Sequence, residues 1–141
     1  MALYYHPNPG TVVICDFRTG FVVPEMTKRR LAVVITPRFR RRNGLCTIVP
    51  FSTTPPLMIQ PYHYRLVLDP PMPAPYNSTV QWVKADMLAT VSFSRLFMPF
   101  DGKDKNGKRK YVIKILDDSD LKNIRKCVLH ALHMSHLTAH L

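Results

Sequence analysis

Residues Leu31–Ser52 read LAVVITPRFRRRNGLCTIVPFS. Leu31 to Thr36 is apolar and rich in β-branched residues, and Pro37 closes it. A run this short between turn formers suits a buried strand better than a helix. Leu45 to Ser52 repeats the pattern, with Pro50 expected at a strand end, an edge or a bulge. Between them lies the basic turn Arg38 to Gly44, whose Asn43-Gly44 pair is a strong hairpin signal. The stretch predicts two strands joined by a charged turn.

The same signals recur outward from it. Thr11 to Phe17 (TVVICDF) follows the turn-rich Pro7, Pro9 and Gly10 and reads as a buried strand. Arg18 to Arg30 is a polar loop. Beyond Ser52, Pro55 to Pro61 is a loop and Tyr62 to Leu68 is a strand whose partial alternation suggests one wet face. Proline-rich Asp69 to Asn77 is a stiff connection. Thr79 to Lys84 and Met87 to Phe93 are further strands. The glycine- and lysine-rich turn Asp101 to Lys110 leads into a last strand, Tyr111 to Ile115.

The period changes at the end of the chain. Asp118 or Ser119 caps a helix expected to run to about His136. Leu121, Ile124, Val128, Leu132 and Ser135 form its stripe, and Lys122, Arg125 and Lys126 fall outside it. Several short strands and one terminal helix predict a mostly β protein, a small SH3-like barrel. Without an internal repeat or a second hydrophobic unit, residues 1–141 are expected to form one domain. Its 97–141 part supplies a basic turn, the last strand and the helix.

Lys plus Arg number 20 against 9 Asp plus Glu, a net charge of +11 over 141 residues. Such a bias implies a polyanionic partner. A hydrophobic content of 46% excludes a disordered chain. The three cysteines (Cys15, Cys46, Cys127) are odd in number and include no CxxC pair, which argues against a disulfide scaffold or structural zinc. Reduced thiols suit the cytoplasm. The N-terminus shows no signal-peptide pattern, and no run of about 18 apolar residues exists to span a membrane. Nucleic acid is the expected partner.

Three polar clusters fall at strand ends: Glu25 to Arg30, Ser52-Thr53-Thr54, and Lys84-Ala85-Asp86. In a small barrel such ends lie within reach of one another. Cleaving RNA without a metal needs a base for the 2′-hydroxyl proton and cations or donors for the charge that builds on the phosphoryl oxygens. Arg30, Arg29 or Lys28 can be the cation, a planar fork suiting phosphate best. Ser52 or Thr53 can be the hydroxyl, and Asp86 or Glu25 the carboxylate. Each alone is an ordinary loop residue; the combination carries the chemistry.

Arg38, Arg40, Arg41 and Arg42 are candidate phosphate contacts, and Tyr62, Tyr64 and Phe39 candidate platforms for unpaired bases. His130, His133, His136 and His140 cluster on one side only if the helix continues that far. No Cys or carboxylate completes a ligand set there, so neither metal nor cofactor is expected.

The ordered set Gly10–Phe17, Pro24–Ile35, Thr47–Thr53, and Trp82-Val-Lys84-Ala-Asp86 onward to Arg95-Leu96 resembles the MazF/PemK toxin family over roughly residues 9 to 96. The resemblance implies an SH3-like barrel that forms a homodimer. It implies a sequence-preferring, metal-independent endoribonuclease that cleaves single-stranded RNA by 2′-hydroxyl attack. It also implies inhibition by an acidic cognate antitoxin peptide. By position, Arg30 corresponds to the family's catalytic arginine and Ser52 to its hydroxyl partner. Glu25 matches an acidic loop residue, and Lys84 and Asp86 a basic-x-Asp pair. Leu31 departs from the usual proline, and Lys84 stands where arginine is common. A relative that keeps the fold and binds nucleic acid or peptide without turnover is the alternative.

Overall fold

The Leu31–Ser52 stretch folds as a hairpin. In the computed structural model, which describes residues 1–141, β2 (Arg29–Val34) pairs antiparallel with β3 (Leu45–Ser52), Ala32 opposite Pro50 and Val34 opposite Ile48. β2 begins earlier than its apolar run suggests. β1 (Val12–Asp16) extends alongside and pairs Cys15 with Arg30 and Asp16 with Arg29. The two arginines are therefore strand residues, not loop residues.

β4 (His63–Val67) and β5 (Val80–Lys84) pair with each other, and β5 joins the end of β3. β6 (Ala89–Ser92) pairs with the start of β3, and the short β7 (Leu96–Phe97) adds to β1. The path is β4-β5-β3-β2-β1-β7, antiparallel throughout. Its outer strands do not pair with each other, so the barrel-like sheet stays open. β3 changes partner on one side: Leu45 to Ile48 face β6, and Phe51 and Ser52 face β5. Pro50 lies in the interval, inside the strand rather than at its end.

Alternation sorts the side chains onto two covered faces. Val12, Ile14, Leu31, Val33, Val49, Phe51 and Val83 pack with Ile124 and Cys127 of the helix on one face. Val13, Cys15, Ala32, Val34, Cys46 and Ile48 pack with Leu3, Val91 and Leu96 on the other. Strands covered on both sides read as unbroken apolar runs, which is why the central three are so plain in the sequence.

The helix α1 spans Asp118–Ala131. Its N-cap is Asp117, whose carboxylate accepts from the Asp120 N–H at 2.8 Å, and Asp118 and Asp120 favour the positive end of the helix dipole. The helix stops short of His136. His133 adopts a left-handed φ of 58°, and a 3-10 turn, Ser135–His140, follows. The side shared by four histidines needs a continuous helix and so does not form. Leu132 is half exposed, and Cys127 takes the buried place expected of it.

The expected strand at Tyr111 to Ile115 is also replaced. β8 (Phe100–Lys103) and β9 (Arg109–Tyr111) close the basic turn into a separate two-stranded hairpin. Ile115 makes only a single bridge to Thr11.

Candidate nucleic-acid interface

Residues paired across antiparallel strands point to the same face of a sheet, and so do residues two apart along one strand. Cys15 pairs with Arg30. The β2–β3 register, carried on from Ala32 opposite Pro50, brings Arg30 to the level of Ser52. Ser52 pairs with Trp82, and Trp82 with Arg65. One transverse row thus runs Cys15, Arg30, Ser52, Trp82, Arg65. Two residues along β5 and β4, Lys84 pairs with His63 on the same face.

Arg30 is half-buried, and its enclosed Nε–H finds no acceptor in the protein. Ser52 is buried at 5% exposure. Its Oγ accepts from the Thr54 N–H at 3.2 Å, which leaves the hydroxyl proton free to donate. Lys84 is half-buried, and Asp86 is exposed on the 3-10 turn Ala85–Met87 that follows β5. His63 is half-buried, and its Nδ1 accepts from the Gln60 N–H at 3.0 Å. A neutral ring bonded in this way carries its proton on Nε2. Burial lowers the His63 pKa; nearby Asp86 acts against that, and Lys84 with it.

Arg30, Ser52 and Lys84 therefore share a face, with Asp86 just beyond it. Other expected residues lie elsewhere. Glu25 is exposed, and its carboxylate accepts from the Val22 N–H at 2.8 Å, closing its own turn. Lys28 and Thr53 are exposed flanking residues. Arg29 points to the opposite face from Arg30, with its guanidinium 4.8 Å from the centre of the Phe97 ring. Its strand partner Asp16 is held down at about 2, chiefly by hydrogen bonds from Arg18, with which it forms a 2.8 Å ion pair.

The turn bearing Arg38, Arg40 and Arg41 is exposed at the far end of the β2–β3 hairpin, roughly 20 Å from Arg30 by strand length. Tyr62 and Tyr64 lie against the core. The Tyr64 hydroxyl donates to Asp120 at 2.5 Å, and burial, with that bond, pushes its pKa up to about 12. Tyr64 is thereby tied to the helix rather than standing free for a base, while Tyr62 is partly buried with its ring edge-on to His63.

His63, Arg65 and Trp82 were not singled out from the sequence. The signal for the first two was present in YHYRLVL: if Tyr64, Leu66 and Leu68 face the core, His63 and Arg65 must face away. The cysteines supply no nucleophile. Burial raises Cys15 to about 12 and Cys46 and Cys127 to about 11, so all stay protonated near neutrality. No three His, Cys, Asp or Glu side chains converge as a metal-binding group. No helix is long and apolar enough to cross a membrane.

An open antiparallel sheet carrying a C-terminal helix is a fold that this chain shares with solved MazF toxins. MazF from Deinococcus radiodurans superposes with a TM-score of 0.61 at 20% identity, over 92% of this chain and 99% of that one. A mycobacterial endoribonuclease solved with its cognate antitoxin superposes at 0.58 and 17% identity, over 91% and 96%. An uncharacterized protein of Haemophilus influenzae is 24% identical over 144 residues, 94% of each chain. Residues 8–132 match the model of the PemK-like, MazF-like toxins of type II toxin-antitoxin systems, and the chain belongs to that family.

Proposed function

We propose that this toxin is an endoribonuclease that cleaves single-stranded RNA through Arg30 and Ser52. The observation that carries the reading is a half-buried guanidinium with an unaccepted N–H, level with a buried hydroxyl free to donate. The enclosed Nε–H is costly to leave unpaired, and the terminal nitrogens of the same fork, unlike it, are open to a ligand. A phosphodiester fits: the Arg30 fork takes its phosphoryl oxygens and Ser52 donates a further hydrogen bond. Both interactions strengthen as charge builds in the transition state.

The 2′-oxygen attacks phosphorus and its proton passes to a base, for which Asp86, two residues beyond Lys84 of this face, is the carboxylate assigned. The 5′-oxygen leaves and takes up a proton. The products are a 2′,3′-cyclic phosphate and a 5′-hydroxyl. Lys84 adds positive charge beside the path, as a point charge rather than a fork. Glu25 is given no role in this step; one of its carboxylate oxygens accepts from the Val22 N–H.

The reaction draws on side chains alone, so activity is expected to persist in chelator. An acidic antitoxin peptide would compete for the same basic face in a cytoplasmic homodimer, and loop shape around unpaired bases would set sequence preference. The test is to incubate the purified protein with mixed-sequence RNA in chelator and analyse the fragment ends. Cyclic phosphate paired with free 5′-hydroxyl is the expected result. Intact RNA bound in a salt-dependent manner would instead favour the non-catalytic relative, to which Lys84 in place of an arginine fork points.

A further inference from the structure

On the opposite face of β2 from Arg30, a cleft of about 570 Å³ opens between the Pro73–Tyr76 loop and the β8–β9 hairpin. Its volume is that of a small-ligand site. Arg29 enters from the sheet and Arg109 from the hairpin. Each guanidinium lies over an aromatic ring, Arg29 4.8 Å from Phe97 and Arg109 4.5 Å from Phe100. The half-exposed Tyr111 ring and the partly buried Tyr76 ring stand in the wall, whose remainder is largely apolar, with Ile14, Met98 and Pro99 among it. Neither arginine is in an ion pair or a side-chain hydrogen bond, so their donors are free. Asp101 is the one carboxylate in the wall. Beyond the cleft, Lys103, Lys105, Lys108 and Lys110 continue along an exposed hairpin.

We infer that this cleft is a second nucleotide-binding site, taking an unstacked base and its phosphate from the single-stranded RNA engaged at Arg30. Stacked arginines with free donors can hold phosphate oxygens, while the half-exposed Tyr111 ring accepts a base on its π face. The spaced lysines then suit a chain with one charge per unit better than a peptide anchored by apolar side chains. The connection between the sites is short. Arg29 and Arg30 are consecutive, about 3.8 Å apart at Cα, and point to opposite faces where β2 begins. A strand rounding that rim meets both. The inference rests on RNA being the polyanion, but not on its being cleaved.

The experiment measures binding of a fluorescent, fully 2′-O-methylated mixed-sequence oligoribonucleotide to the full chain by anisotropy across a salt series. This probe lacks the attacking hydroxyl, so a protein that binds and never cleaves is still read correctly. Arg109→Ala and Tyr111→Leu are each expected to weaken binding roughly tenfold, and Arg109→Ala to shallow the log–log salt slope by about one unit. Arg109→Lys, which keeps the charge and loses the stacked fork, is expected to fall between wild type and Arg109→Ala. Both positions are exposed, so the fold is retained. Arg40→Ala is the comparison for ordinary surface charge. Equal losses for Arg109→Ala and Arg40→Ala, or full binding by Arg109→Lys, would overturn the site. Tighter binding of polyglutamate than of the oligonucleotide, abolished by Arg109→Ala, would assign the cleft to an acidic protein and overturn it too.

Discussion

The β2–β3 hairpin carries arginines at both ends, and the ends differ in what surrounds the charge. At the closed end, Arg38, Arg40 and Arg41 stand in solvent, while Arg42 folds over Phe39 at 4.6 Å and reaches Thr36 and Thr47. At the open end, Arg30 is half-buried with an unaccepted Nε–H level with the Ser52 hydroxyl. The closed end has more charge, and the open end has the charge that water does not already satisfy. Solvated cations attract a polyanion at long range and are screened within about 8–10 Å by salt. A partly desolvated one acts on a single phosphate with far greater strength.

The comparison breaks most sharply if Arg30→Ala leaves cleavage intact. It is expected to lower kcat/KM by at least a hundredfold, about 3 kcal/mol, with circular dichroism unchanged. Ser52→Ala removes one hydrogen bond to a charged group, worth about 1.5–3 kcal/mol, and should cost roughly ten- to a hundredfold in the same assay. At the closed end, Arg40→Ala with Arg41→Ala should reduce the log–log salt slope of RNA binding by about two units and leave kcat within about twofold.

Smaller effects sharpen the boundary between site and scaffold. Tyr64→Phe loses the bond to Asp120 and should destabilise the fold by about 1 kcal/mol in denaturant titration. If the ring were instead a base platform, phenylalanine would keep the stacking face, and both stability and KM for RNA would hold. The pH effect of His63 is the smallest. Its folded-state pKa lies below the ordinary 6.5, so the unfolded chain binds its proton first. Its contribution is complete above about pH 6.5 and declines as pH falls toward the folded value, which thermal midpoints at stepped pH would follow.

The central strands were legible because both their faces are covered, so burial alone writes them as apolar runs. Arg30 and Ser52 stood out as polar residues abutting such runs. What the sequence hid was pairing. Nothing local says that β1 extends far enough to draw Arg29 and Arg30 into β2, or that the two then point to opposite faces. Tyr64 of β4 misled for a related reason. An aromatic beside a histidine and an arginine looks like a binding surface until the helix that covers it is in place. The hairpin at Phe100–Tyr111 was missed because its residues are exposed, and exposed strands carry no hydrophobic period.

The change of partner along β3 gives Pro50 a second meaning. The Thr47 carbonyl accepts from the Ile35 N–H on the β2 side, so alternation turns residue 50 the other way, toward the gap between β6 and β5. Any other amino acid would present an amide in that gap, two residues along the strand from Ser52. Proline has no such hydrogen. The fork is thereby sealed against a stray strand zipping into it, and the sheet can divide beside its most exposed chemistry without becoming adhesive.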